Sequence, residues 1–244
     1  MKRTFIQVVE GTFKYMWLTI LGWTTGAAML YYITAMRHTA PRLQWIALSW
    51  ATYNTVMAFI CISIVGWSLA YFHCVSYYIR LRFKRLNKIV YALLDEAGII
   101  PLTKRNDFMA EVIYEHDKGA HDTGYWNRFW KWWLLVTYCM YVPLEFWLLY
   151  TCWFYKTTWL LKIILWLAFA QCGISIGVII ASGEMVSNQA HLCYKWLNAL
   201  CLHKFPVSIM IKMAELIERL GGPTVGFHCY DFFVVARETF YDVS

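Results

Sequence analysis

An all-α membrane protein is the fold class this sequence predicts: a polytopic bundle of four spanning helices, with long helices extending into the cytosol. Three observations predict it. The first is a run of 37 residues, Leu43 to Ile79, that contains no Lys, Arg, Asp or Glu. As a helix it would run ~55 Å at 1.5 Å per residue, well beyond the ~30 Å hydrocarbon core of a bilayer. The second is composition, since 60% hydrophobic and 19% aromatic residues against 15% charged leave too little charge to cover a soluble globule. The third is that Lys and Arg collect on one side of the predicted spans.

The elements follow in order. Met1 to Lys14 contains Glu10 and no small-residue cleavage site, so the first span, uncharged from Tyr15 to Met36, is expected to act as its own insertion signal. A short polar link from Arg37 to Arg42 leads to the second span, Leu43 to Ile79, which ends abruptly in Arg80, Arg82, Lys84, Arg85 and Lys88. Within Tyr77 to Leu94, the apolar residues Ile79, Phe83, Leu86, Val90 and Leu94 recur at three- and four-residue spacing among those cations, which predicts an amphipathic continuation of the helix. The rest of the connection to Lys131 is predicted as cytosolic, with His116 and His121 in a solvated loop. Trp132 to Tyr155 forms the third span with Glu145 as its only charge, and Thr157 to Gly183 the fourth with Lys162 near its start.

Beyond Pro206, the residues Ile209, Met213, Leu216, Ile217 and Leu220 share one helical face. Glu215 and Arg219 are spaced for an i,i+4 ion pair, and Gly221, Gly222 and Pro223 supply a stop. This helix and the continuation of the second span need an apolar partner, either each other or another chain. They predict an intracellular anchoring layer over residues of about 184–244 within one transmembrane domain, 1–244.

Orientation follows from the cations, because Lys and Arg near span ends are retained in the cytosol. With a cytosolic N-terminus, 18 of the 22 lie inside, and only Arg37, Arg42, Lys156 and Lys162 lie on the other face. Both termini are therefore expected in the cytosol, with the protein in the plasma membrane. Every Asp and Glu except Glu145 falls in the inner segments or at their edge. The net charge of +7 is that of cytosolic loops beside anionic lipid, so the bilayer and not a nucleic acid is the expected partner. Tyr31, Tyr32, Trp45, Trp126, Trp130, Trp132 and Trp133 flank the spans as interfacial anchors.

No enzyme chemistry is legible. The eight cysteines include no CxxC pair and read as packing thiols, with neither a disulfide framework nor a zinc site. Seven scattered histidines do not form the closely spaced boxes of a membrane di-iron enzyme. A Gly-rich phosphate loop, a GxSxG elbow and an HExxH pair are absent too. Neither a cofactor nor a metal is expected.

Inside the spans Glu145 stands out, because a carboxylate near the middle of a span costs ~3 kcal/mol on insertion scales. Pro143, two residues earlier, frees a backbone carbonyl and is expected to kink the helix. Two readings stand: a ligand or ion contact facing the bundle interior, or a protonated side chain hydrogen-bonded to a neighbouring helix. Asn54 and Gln171 pose the same choice, with interhelical glue as the second reading.

A family resemblance is carried by three segments in this order: the basic-aromatic run Arg80-Leu81-Arg82-Phe83-Lys84-Arg85-Leu86-Asn87 leaving the membrane, then Glu218-Arg219-Leu220 after two further spans, then Gly226-Phe227-His228-Cys229-Tyr230-Asp231-Phe232-Phe233. Together they resemble the arthropod gustatory receptor branch of the insect chemoreceptor family. The resemblance implies a seven-helix, tetrameric, ligand-gated cation channel with a cytosolic N-terminus, in which the four spans correspond to the family's third to sixth helices and Thr224 onward to the lead-in to the seventh. The family's seventh helix carries a Thr-Tyr pair followed by Gln-Phe and lines the pore. The chain, which stops at Ser244, is expected to lack that helix and the first two. By resemblance, a small-molecule tastant would bind in the outer half of the bundle, with Trp50, Tyr53, Asn54, Trp166, Phe169 and Gln171 as candidate contacts beside Glu145. Homo- or heterotetramers would form through the cytosolic anchor. The alternatives are a non-conducting fragment or modulatory membrane subunit and, further off, a membrane enzyme of lipid metabolism.

Overall fold

The computed structural model describes residues 2–95, 101–156, 158–201, 205–221, 225–230 and 232–235, and nearly all of that backbone is helical. The helices are α1 (Lys2–His38), α2 (Gln44–Asp95), α3 (Leu102–Phe154), α4 (Trp159–His191), α5 (Tyr194–Leu200) and α6 (Val207–Gly221). Two short strands follow, β1 (His228–Cys229) and β2 (Phe233–Val234). The chain divides into two compact units, Met1–Cys74 and Val75–Ser244, so that α2 passes from one into the other.

Among the described residues, three helices are long and apolar enough to cross a membrane: Pro41–Asp95, Thr103–Phe154 and Leu161–Leu200. Only 17–22% of their most apolar windows is buried inside the chain. Faces that apolar are compatible with the interior of a bilayer. The expected first span on α1 is not among the three. Thr19, Thr24, Thr25, Tyr31, Tyr32, Trp17 and Trp23 dilute its Leu, Ile and Met, and α1 meets the need for satisfied hydroxyls locally. Thr19, Thr24 and Thr25 each donate to the carbonyl four residues back, at 2.7–2.9 Å.

In the first unit, α1 and α2 run antiparallel. Phe13 and Trp17 pack on Trp67 with ring centroids 5.1 and 5.4 Å apart, while Tyr32 and Thr52 share a hydroxyl hydrogen bond of 2.8 Å. Gly66 allows the close approach between them, since a Cβ there would lie 2.7 Å from Met16 Cε.

In the second unit, the stretch expected as a solvated loop is helix. Residues 102–131 are the first half of α3, which continues without interruption through Pro143 to Phe154. A helix of 53 residues runs ~80 Å. The physical reason is periodic burial: Met109, Val112, Ile113 and His116 are all at most 6% exposed and line one face of it. Burial along that face outweighs the charge that made the segment look like a loop. The link from Tyr155 to Thr158 is short, and α3 and α4 pack antiparallel, with Glu145 beside Gly173 and His116 beside Ala190; Leu134, Leu148 and Cys152 on one helix and Cys172, Ile176 and Ile179 on the other are buried.

The amphipathic continuations expected from the sequence do pack on each other. Val90 and Leu93 of α2, Met109, Val112 and Ile113 of α3, Leu197 and Leu200 of α5, and Met213, Leu216 and Leu220 of α6 form one apolar cluster with Cys193 and Phe205. Buried Arg105 lies over the Phe205 ring at 4.7 Å. Gly222 and Pro223, the expected stop of α6, lie outside the described residues, as does Asp231.

Candidate functional site

The residues singled out as ligand contacts fall on both units. On α2, Trp50 and Tyr53 are exposed and stack with centroids 5.6 Å apart. Asn54 Nδ2 reaches back one turn and donates to the Trp50 carbonyl at 2.8 Å, so that donor is engaged within its own helix. On α4, Trp166 and Phe169 meet edge to face at 5.7 Å, and Gln171 is half-buried. Half-buried Glu145 on α3 extends against α4 where Gly173 leaves a notch: a Cβ built on Gly173 would lie 3.1 Å from Glu145 Oε1. The glycine admits the carboxylate, as an interhelical contact and a ligand site between α3 and α4 would both require.

A second group of polar residues was not legible as a site. His191, the last residue of α4, sits beside the C-terminal end of α6 and the segment that precedes β1. Its Nδ1 lies 3.0 Å from the Leu220 carbonyl and its Nε2 accepts the Val225 N–H at 3.0 Å. A carbonyl only accepts, so Nδ1 carries the proton and the ring is the neutral Nδ1–H tautomer. The bond to Leu220 also satisfies one of the four carbonyls left open at the C-terminus of α6.

One helix away, His116 is 3% exposed and lies 3.3 Å through Nε2 from the Ala190 carbonyl, which places its proton on Nε2. Its Nδ1 is buried without a hydrogen-bond partner. Burial pushes the His116 imidazole below its ordinary range, with neighbouring Asp117 opposing that shift. Phe83 covers the ring at 5.2 Å and settles over Gly119, where a Cβ would lie 3.1 Å from the phenyl edge. Arg219 pairs with Asp117 at 2.7 Å, not with Glu215 as the i,i+4 spacing suggested; from Glu215 it takes only the backbone carbonyl, at 3.3 Å. The packing of α6 against α3 brings a carboxylate within reach of the guanidinium fork, which is better satisfied by two oxygens than by one chain neighbour.

The basic run from Arg80 to Lys88 is partly neutralised. Arg82 donates to Glu115 at 3.0 Å and to Asp122, and Asn87 Nδ2 donates to the Gln189 carbonyl at 2.7 Å. A cleft of about 180 Å³ beside them is lined by Arg82, Arg85, Leu86, Ile89, Glu111 and Glu115. Its two guanidiniums face two carboxylates, so it offers no net charge to an anion. Among the described residues, no three His, Cys, Asp or Glu side chains gather where they could hold a metal ion.

The two strands pair antiparallel in the register His228 with Val234 and Cys229 with Phe233. Asn127 Oδ1 accepts the His228 N–H at 2.8 Å, and Tyr230 packs on Trp132 at 4.7 Å, with the Lys131 ammonium 5.1 Å from its ring centroid. Tyr230 has a positive φ of 52°, an unusual backbone for a Tyr, and these ring contacts hold it there. Cys229 is 1% exposed and burial pushes its thiol up to about 11.

The partners of His191, His116, Arg82 and Arg219 lie 29 to 102 residues away in the chain, so no local spacing announces them. No protein-family model and no curated protein matches this chain.

Proposed function

We propose that this chain is a chemosensory membrane protein of the gustatory receptor type. In this reading it contributes four spans and a cytosolic anchor to a ligand-gated cation channel assembled from four subunits in the plasma membrane. The observation that carries the reading is the continuity of α3 from a proposed span into a packed cluster: Trp132–Phe154 is apolar but for Glu145, while the same helix places Met109, Val112 and Ile113 in the buried cluster. A tastant bound among the spans would act on an element that is also part of the anchor. The order of the basic-aromatic run, the Glu218-Arg219-Leu220 segment and the Gly226 to Phe233 segment supports the family assignment.

Topology is the first test. Epitope tags at residue 1 and after Ser244 are expected to stain only in permeabilised cells, and a tag near Thr39 in intact ones. Staining of intact cells by either terminal tag removes the orientation and the architecture built on it.

Conduction is the second. Glu145 is the only carboxylate in the four spans, and they contain no series of polar or acidic residues of the kind that forms an ion-selecting ring. That favours a modulatory rather than a self-sufficient subunit. Expressed alone, the chain is expected to give no tastant-evoked current, and co-expressed with an intact receptor to reduce or retune its response. A robust cation current from the chain alone, abolished by a substitution in one of its spans, overturns this.

Glu145→Gln tests the ligand reading at the Gly173 notch. In a responding assembly it is expected to shift the dose-response curve by about tenfold while surface expression is kept, the scale of one lost charge-assisted hydrogen bond. An unchanged curve returns Glu145 to a packing role.

A further inference from the structure

The His191 junction carries a property that the receptor reading neither uses nor requires. The ring accepts the Val225 N–H through Nε2 and donates to the Leu220 carbonyl through Nδ1, so both bonds exist together only while the imidazole is neutral. Protonation turns Nε2 into a donor that faces the Val225 N–H. The Leu220 bond survives, and the Val225 bond is replaced by two opposed N–H dipoles. We propose that His191 is a proton-operated latch that fastens the strand pair β1–β2 to the ends of α4 and α6 in its neutral form and lets it go when protonated.

What surrounds the latch bears on its direction. His116 on α3 interacts with His191, and Asp117 of α3 and Arg219 of α6 act in turn on His116. Asp117 is paired with Arg219 at 2.7 Å, and the two act on His116 in opposite directions. No further carboxylate among the groups that act on His116 stands ready to hold a proton on this junction. His116 adds to the same sense. It is buried neutral beside the Ala190 carbonyl, one residue before the latch, and it resists charging because of its burial. A group that titrates lower folded than unfolded contributes stability fully above the unfolded value, near pH 6.5 for histidine. That contribution is lost as pH falls towards the folded value. His116 therefore adds stability to the junction at neutral pH that is lost in acid, the same sense in which the latch works. The latch is the more local of the two, because Val225 leads directly into Phe227, which accepts the Val235 N–H at 2.7 Å and so closes the strand pair.

Cys229 reports on the strand pair, and Cys193 reports on the apolar cluster next to it, at 1% and 2% exposure. The experiment is thiol labelling of the full chain in lipid nanodiscs with 4,4′-dithiodipyridine, a disulfide reagent that reacts with thiols in acid as well as at neutral pH. Each cysteine is quantified by peptide mass spectrometry at about pH 7.5 and about pH 5.5, a range that spans the histidine transition. Cys229 labelling is expected to rise ~tenfold at the lower pH while Cys193 stays protected, the ratio that one lost hydrogen bond at the upper end of the neutral range produces. His191→Gln, whose amide takes up no proton, is expected to abolish the pH dependence, with Cys229 either protected or accessible at both values. His116→Gln is expected to keep the larger part of it.

Three results overturn the proposal. One is a wild-type Cys229 that remains protected at the lower pH, a measurement that needs no variant to fold. Another is a parallel rise at Cys193, which means that the whole layer melts. The third is a His191→Gln protein that responds as wild type does.

Discussion

Phe83→Ala is expected to destabilise the packing of α2 on α3 by about 3–5 kcal/mol, the usual cost of emptying a buried phenyl site. Phe83 is 1% exposed and lies between the Gly119 backbone, where there is no side chain to collapse into the space, and the His116 ring at 5.2 Å. The loss would also uncover His116 Nδ1, which has no hydrogen-bond partner and is kept from water by that ring. Because Phe83 follows the expected end of the span at Ile79, insertion and topology should be unaffected. Hydrogen exchange over α2 and the first half of α3 is the appropriate measurement. A change below about 1 kcal/mol, the scale of an ordinary surface substitution, would show that Phe83 does not hold these helices together.

Gly183→Val is expected to have the second large effect, and at a different place. A Cβ on Gly183 would lie 2.6 Å from the Val235 carbonyl oxygen and 2.8 Å from Val235 Cγ1. Backbone is the nearest obstacle, and it is fixed by the Val235 N–H bond to Phe227, so relief requires moving the whole strand pair. Overpacking of this kind costs about 1–3 kcal/mol. Cys229 should become accessible to thiol reagents at neutral pH while Cys193 remains protected. Gly177→Ala, two turns earlier on α4 where nothing lies within 4 Å, is the matched control and should leave Cys229 protected.

The membrane-compatible helices were legible in the sequence because a long uncharged run has few alternatives: its backbone must be satisfied internally wherever water is absent. The amphipathic face of α6 was legible for a related reason, since Ile209, Met213, Leu216 and Leu220 repeat at the helical period and the structure buries the last three of them. The first half of α3 was missed because its charged residues mask a narrower buried stripe. Met109, Val112, Ile113 and His116 make a face only when the polar His116 counts as an inward position.

Among the site residues, Glu145 was conspicuous as a charge in an apolar run, but its position against Gly173 depends on how α3 and α4 pack. The aromatic candidates Trp50, Tyr53, Trp166 and Phe169 pair within their own helices, which spacing alone permits.

What the sequence by itself determined is the apolar length of the long helices and their period, because both depend on residue types summed over windows of twenty or so positions. What only the tertiary structure decided is which polar group meets which. Arg219 takes Asp117 rather than Glu215, Arg82 is claimed by Glu115 and Asp122, and His191 bonds two backbone groups at once. Hydrogen bonds and ion pairs act over a few ångströms, so their partners are set by the docking of whole helices and leave no trace in local spacing.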